Sequence, residues 1–190
     1  MKRIISIALL SFFAWGNAHA QVDTLAMMKN WQDYMTPGAM QAMIAKYDGT
    51  FTEEITMWMM PGMPAEKSTS TTVNKMIFGG RYQESRVTGN FNGMPFEGFS
   101  LLAFDNLRKV FQSTWIDNMG SGIMTLEGPW DPKTKTITLR GKMTDPMMGK
   151  EVEIKQVITL INDNEQKIEM FTNAYGKEHR SMEMLVKRKS

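Results

Sequence analysis

Along this chain the apolar and polar positions repeat with two different periods, and the change falls near residue 49. From Asp23 to Met35 the apolar residues recur at helical spacing. Met28, Trp31 and Met35 form one stripe with Met27 and Tyr34 beside it, which predicts a helix. Thr36-Pro37 restarts the pattern, with a hydroxyl at the N-cap and proline at the first helical position. Met40, Met43, Ile44 and Tyr47 make a second stripe, and Asp48-Gly49 stops it. Each helix is expected to bury one face, as a lid or a plug.

Beyond Gly49, Thr, Val, Ile and aromatic residues alternate with polar ones in runs of eight to twelve. The spacing predicts strands near 50–59, 69–78, 81–90, 95–104, 109–117, 121–128, 134–143, 150–161, 166–173 and 178–187. Turn residues punctuate them, among them Pro61-Gly62, Gly79-Gly80, Asn92-Gly93, Asp131-Pro132 and Tyr175-Gly176. Connections this short predict hairpins, so successive strands should pair antiparallel as a meander. An open sheet of that width leaves long edges, and closure into an up-and-down barrel removes them. Ile137, Leu139 and Met143 share one face of their strand. Val152, Ile154, Ile158 and Leu160 do the same on the next, with Glu151, Glu153 and Lys155 opposite. The expected fold is therefore mainly β, an antiparallel barrel of about ten strands with one or two short N-terminal helices. A two-sheet sandwich is the alternative that strand patterns leave open.

The first twenty residues read as an address. Met1-Lys2-Arg3 is a short basic start, Ile4 to Trp15 carries no charge, and Ala18-His19-Ala20 is a small-x-small cleavage pattern. This fits a Sec-type signal peptide over 1–20, too short to span a bilayer, and predicts a periplasmic or secreted protein. Residues 21–190 then form a single domain, a helical segment over 21–48 followed by the barrel over 49–190. Its removal changes the electrostatics. The whole chain has 22 basic and 20 acidic residues, and Lys2 and Arg3 leave with the leader, so the mature chain is formally neutral. A neutral chain offers no basic stripe for nucleic acid, and no second apolar run is long enough to span a membrane. The oligomeric state is not encoded in any pattern here.

Candidate chemistry is sparse. With no cysteine, disulfides, thiolate metal sites and cysteine nucleophiles are excluded. His179 is the one histidine of the mature chain and reads as an exposed residue near the start of the last strand. Glu53-Glu54 and Glu151/Glu153 fall in alternating charged positions, which reads as a solvated strand face rather than a catalytic dyad. No serine sits in a Gly-x-Ser-x-Gly elbow, and Gly79-Gly80 lacks the lysine and spacing of a phosphate loop. No catalytic residue and no cofactor are assigned.

Twenty methionines are the compositional outlier. Most fall on helix stripes and strand faces, where methionine is an adaptable gap-filler. The segment Met57-Trp58-Met59-Met60-Pro61-Gly62-Met63 is denser than packing requires. Its soft thioethers make Met57, Met59, Met60 and Met63 an alternative Cu(I) site, although the segment contains no histidine.

Four stretches carry a resemblance. They are Tyr34-Met35-Thr36-Pro37-Gly38, Ile77-Phe78-Gly79-Gly80-Arg81-Tyr82, Leu102-Ala103-Phe104-Asp105-Asn106 and Ser113-Thr114-Trp115-Ile116-Asp117-Asn118-Met119-Gly120. In this order and spacing the chain resembles the DUF1579 family of uncharacterised, often exported bacterial proteins over roughly residues 31–188. The resemblance implies a lipocalin-like, calycin-type barrel and no catalytic mechanism. The sequence-based expectation for function is thus a barrel binding a small, largely apolar ligand, with Trp58, Arg81, Trp115 and Asp117 as pocket residues. An enzyme using carboxylates at the barrel mouth, Cu(I) handling, and scaffolding through exposed methionines are the alternatives.

Overall fold

The computed structural model describes residues 23–189, so the expected leader over 1–20 lies outside the described residues. Helix α1 (Thr24–Met35) is followed by the shorter α2 (Ala39–Ala45). The strands are β1 (Gly49–Met57), β2 (Glu66–Ile77), β3 (Tyr82–Phe91), β4 (Met94–Asp105), β5 (Val110–Asp117), β6 (Met124–Gly128), β7 (Trp130–Asp131), β8 (Thr136–Asp145), β9 (Lys150–Asn162), β10 (Glu165–Thr172) and β11 (His179–Arg188).

The strands form an up-and-down meander that closes on itself. Neighbours in sequence are neighbours in the sheet, and β1 pairs with β11. Closure is completed by β6 against β8, Thr125–Glu127 opposite Arg140–Lys142. The short β7 lies along the same neighbour, Trp130 opposite Ile137, so β6 and β7 are two pieces of one strand broken at Pro129. The result is a closed ten-stranded antiparallel barrel, as the alternation predicts, and not a sandwich. Two glycines make the seam possible. A Cβ at Gly128 would lie 1.9 Å from the Thr138 carbonyl oxygen, and one at Gly141 would lie 2.2 Å from that of Thr125.

One end of the barrel is packed and plugged. Phe51, Phe111, Leu126, Ile137 and Leu139 are fully buried there, with Ile158, Leu160 and Val186 around them. Helix α2 covers this core with Ile44, Met40 and Met43, and Tyr47 follows it. Burying a helix end leaves backbone carbonyls needing partners, and the barrel provides them from inward side chains. Gln83 Nε2 donates to the Ile44 carbonyl (2.8 Å) and Asn74 Nδ2 to that of Tyr47 (3.0 Å). Arg188 donates to the Lys46 and Asp48 carbonyls (2.6 and 2.7 Å) while its guanidinium lies over Phe51.

The helices depart from expectation in two ways. The cap of α2 is Gly38 rather than Thr36, because the Gln41 side chain turns back to accept from the Gly38 N–H (2.8 Å). Helix α1 buries none of its residues and is no plug, leaving Leu25, Met28 and Trp31 exposed. Asn106 holds its C-terminal end by donating to the Thr36 and Tyr34 carbonyls. No helix among the described residues is long and apolar enough to cross a membrane.

Candidate functional site

Strand direction defines the opposite end. β1, β3, β5, β8 and β10 run toward it, and the loops that rim it are 58–65, 92–93, 118–123, 146–149 and 173–178. Alternation and register fix which residues face inward. In β1 these are Phe51, Glu53, Ile55 and Met57, and across from the upper three stand Ser70, Ser68 and Glu66 of β2. In β4 and β5 the inward set includes Ser100 opposite Trp115 and Gly98 opposite Asp117. Toward the plug such residues are buried; toward the rim Ile55, Met57, Ser68, Ser100, Trp115 and Asp117 are only half-buried, whereas Val152, Ile154 and Thr172 at the rim ends of β9 and β10 stay buried. Inward residues that retain accessible surface leave this side of the barrel mouth open, a half-open chamber. Its two sides differ in chemistry. Hydroxyls of Ser68, Ser85, Ser100 and Ser113 mark β2 to β5, and Ile168, Met170 and Met184 mark β10 and β11.

Glu53 stands between the packed half and the open half. It is 7% exposed and accepts a hydrogen bond from the Ser70 hydroxyl. Burial pushes its carboxyl above the ordinary range, and the Ser70 bond offsets part of that. The sequence reading put Glu53 on a solvated face beside Glu54; the structure corrects this. Phe51, Glu53 and Ile55 share a parity, and Phe51 is core, so Glu53 must point inward with it.

Trp115 and Asp117 form the second polar feature of the chamber. The indole Nε1 donates to Asp117 Oδ2 (2.7 Å), while Asp117 Oδ1 accepts from the Met119 N–H (2.9 Å). One carboxylate therefore both orients the indole and caps the turn after β5. Phe96 stacks on the indole, with centroids 6.3 Å apart. Gly98 makes the space, since a Cβ there would lie 2.4 Å from Trp115 Cη2.

The other two expected pocket residues are elsewhere. Trp58 follows inward Met57 and so stands outside, with the Arg180 guanidinium over its ring at 4.7 Å. Arg81 lies in the turn after β2 at the plugged end, exposed and bonded to the Phe78 carbonyl. Of the methionine segment, Met57 faces inward, and Met59, Met60 and Met63 are exposed in the rim loop. A pocket of about 290 Å³ opens between Met57, Ser68 and Phe91 at this rim. A second, of the same volume, lies against Val152 and Asn173.

The remaining motif residues serve the scaffold. Gly79 and Gly80 take positive φ (66° and 82°), the left-handed turn that glycine allows. Leu102 and Phe104 join the core, Asp105 caps its turn, and Asn118 pairs with Glu97 and Pro95 across the hairpin gap.

Comparison with known proteins agrees with this fold. Residues 36–188 match the family described as "Protein of unknown function (DUF1579)". No curated protein matches the chain. Among solved structures, the crystal structure of Rv2717c from M. tuberculosis is similar, with a TM-score of 0.60 at 12% identity. The match covers 82% of this chain and 100% of that one. At that identity the likeness is one of fold.

Proposed function

The chain belongs to the DUF1579 family, whose description records no function, and from that premise we propose that it is a small-molecule-binding barrel whose ligand sits in the open half. The observation that carries this reading is the half-exposed inner wall above a plugged core. A barrel built only for stability would continue its packed layers to both rims. Here the upper wall combines apolar area with a few fixed polar groups, the pattern of a ligand site. Trp115 and Phe96 offer a flat apolar surface, and the serine-lined wall offers hydroxyls. Glu53, buried and bonded to Ser70, adds a polar group at the floor of this space. The ligand is thus an amphipathic molecule with a largely apolar body and a polar end.

The enzyme alternative receives less support, since the buried carboxyl of Glu53 is bonded to Ser70 and is not paired with a second carboxyl among the described residues. Export belongs to the same proposal, resting on the basic start, apolar run and Ala18-His19-Ala20 of the leader.

A thermal-shift panel of fatty acids, fatty alcohols, sterols and aromatic metabolites tests the reading. A ligand at a hundred times its Kd stabilises by about 2.7 kcal/mol, which the melt would register. Binding should also change Trp115 emission and weaken in Trp115→Leu. A flat panel with unchanged emission would overturn the proposal.

A further inference from the structure

Several methionines and His179, the one histidine among the described residues, meet at the open rim, and their meeting depends on a bulge. In β11, Met182, Met184 and Val186 face inward, so simple alternation would turn His179 outward. The register slips between β10 and β11, where Met170 is opposite Met182 but Phe171 is opposite Arg180, leaving Ser181 as the extra residue. Bulges of this kind re-aim side chains. Here the slip sets His179 opposite buried Thr172 and makes His179 and Met182 successive inward residues.

The imidazole is then held in one orientation. Its Nδ1 lies 3.3 Å from the Lys177 carbonyl oxygen. Its ring packs on Tyr175 at 5.5 Å, and Tyr175 in turn donates to the Met59 carbonyl (3.4 Å). A carbonyl can only accept, so the pairing puts a proton on Nδ1, and in the neutral ring Nε2 then carries the lone pair. That nitrogen is buried without a hydrogen-bond partner, the one such side-chain atom among the described residues. An imidazole anchored through Nδ1–H to a carbonyl, with Nε2 free, is the arrangement histidine takes when Nε2 ligates a metal.

By strand register, the inward residues nearest His179, after Thr172, are methionines. Met182 is the next inward residue of the same strand, Met170 lies diagonally across on β10, and Met57 stands directly opposite Met182 on β1. Adjacent strands are about 4.8 Å apart, and diagonal neighbours remain within reach of long side chains. We propose that His179 Nε2, Met182 and Met170, with Met57 as a third sulfur, form a Cu(I) site on the inner wall at the rim. The donors are neutral and soft, which suits a monovalent soft ion. A divalent ion would want carboxylates or more imidazoles, and no cluster of three His, Cys, Asp or Glu exists among the described residues. The site answers the objection that the Met57–Met63 segment has no histidine, because the fold brings one to it. It is independent of the Trp115 wall and does not rest on the ligand reading.

Competition with a chromogenic Cu(I) chelator under ascorbate, on the purified protein, tests the site. One Cu(I) per chain is expected, with affinity falling at least tenfold in His179→Gln and in Met170→Leu/Met182→Leu. Met59→Leu/Met60→Leu/Met63→Leu should bind as wild type. On the unaltered protein, copper-edge absorption should show one nitrogen with two or three sulfurs, and the ¹⁵N resonance of Nε2 should move on adding Cu(I). This keeps the proposal testable even where a variant fails to fold. No Cu(I) held against the chelator, an unmoved Nε2 resonance, or loss confined to the loop variant would each overturn it.

Discussion

Gly98→Ala isolates the Trp115 site from the rest of the barrel. A Cβ at residue 98 would lie 2.4 Å from Trp115 Cη2 and 2.6 Å from Cζ2. Carbon atoms settle at about 3.5–4.0 Å, so the indole edge must retreat by about 1 Å or more. The indole has little room to do so, since Phe96 stacks on it and Nε1 is tied to Asp117 at 2.7 Å. A hydrogen bond to a charged acceptor contributes about 1.5–3 kcal/mol. Forcing extra volume into a packed site costs about 1–3 kcal/mol. These overlap rather than add, and a loss of about 2–4 kcal/mol is expected. In a domain of this size that lowers Tm by about 5–15 °C. Chemical denaturation of Gly98→Ala, Trp115→Leu and the double variant gives the coupling directly. With the indole absent, the added methyl should cost under about 1 kcal/mol. A Gly98→Ala protein as stable as wild type, or a penalty that persists without the indole, would refute the reasoning.

Other outcomes follow from the same geometry. Because burial raises Glu53 above its ordinary value, the folded chain keeps a proton that the unfolded chain releases. Stability contributed by that proton is complete below the ordinary carboxylate range and is lost as pH rises through the raised value. Glu53→Gln should therefore gain stability at neutral pH, about 1.4 kcal/mol for each tenfold by which the proton equilibrium is displaced, and little near pH 4. Parallel urea-stability curves from pH 4 to 8 would contradict this. Gly128→Ala meets a backbone oxygen at 1.9 Å and should lose about 4 kcal/mol or more, or fail to accumulate as soluble protein. Arg188→Ala releases two carbonyls behind α2 and should cost about 2–3 kcal/mol, with faster amide exchange at Ile44 and Tyr47. Removing residues 23–35 should leave Tm almost unchanged, since α1 buries no residue.

What the sequence shows and what it hides divide along one physical line. Alternation is visible wherever an apolar set marks the inner face, so Ile137, Leu139, Val152 and Ile154 declare their strands and their orientation. Turn positions needing positive φ announce themselves through glycine, as at Gly79-Gly80. Glu53 was readable too, because Phe51, Ile55 and Met57 share its parity; its charge merely suggested the wrong side. The same count turns Trp58 outward. His179 was not readable, since its direction depends on a slip at Ser181 that no residue type signals. The idle face of α1 was equally hidden, because an apolar stripe specifies that a surface is suited to burial and not that a partner within the chain covers it.

Two joints close the barrel, and they span very different lengths of chain. The β6–β8 seam brings together residues close in sequence, Glu127 with Arg140 and Thr125 with Lys142. The other sets Phe51–Met57 along Met182–Arg188, partners separated by 125 to 137 positions. Contacts of such separation must await the loss of chain entropy they impose, and they form slowly. Until they form, β1 and β11 are both bare edges, the state in which a sheet is most open to pairing with other chains. The meander alone encloses no volume, so the chamber comes into being in one late step, when the first strand finds the last.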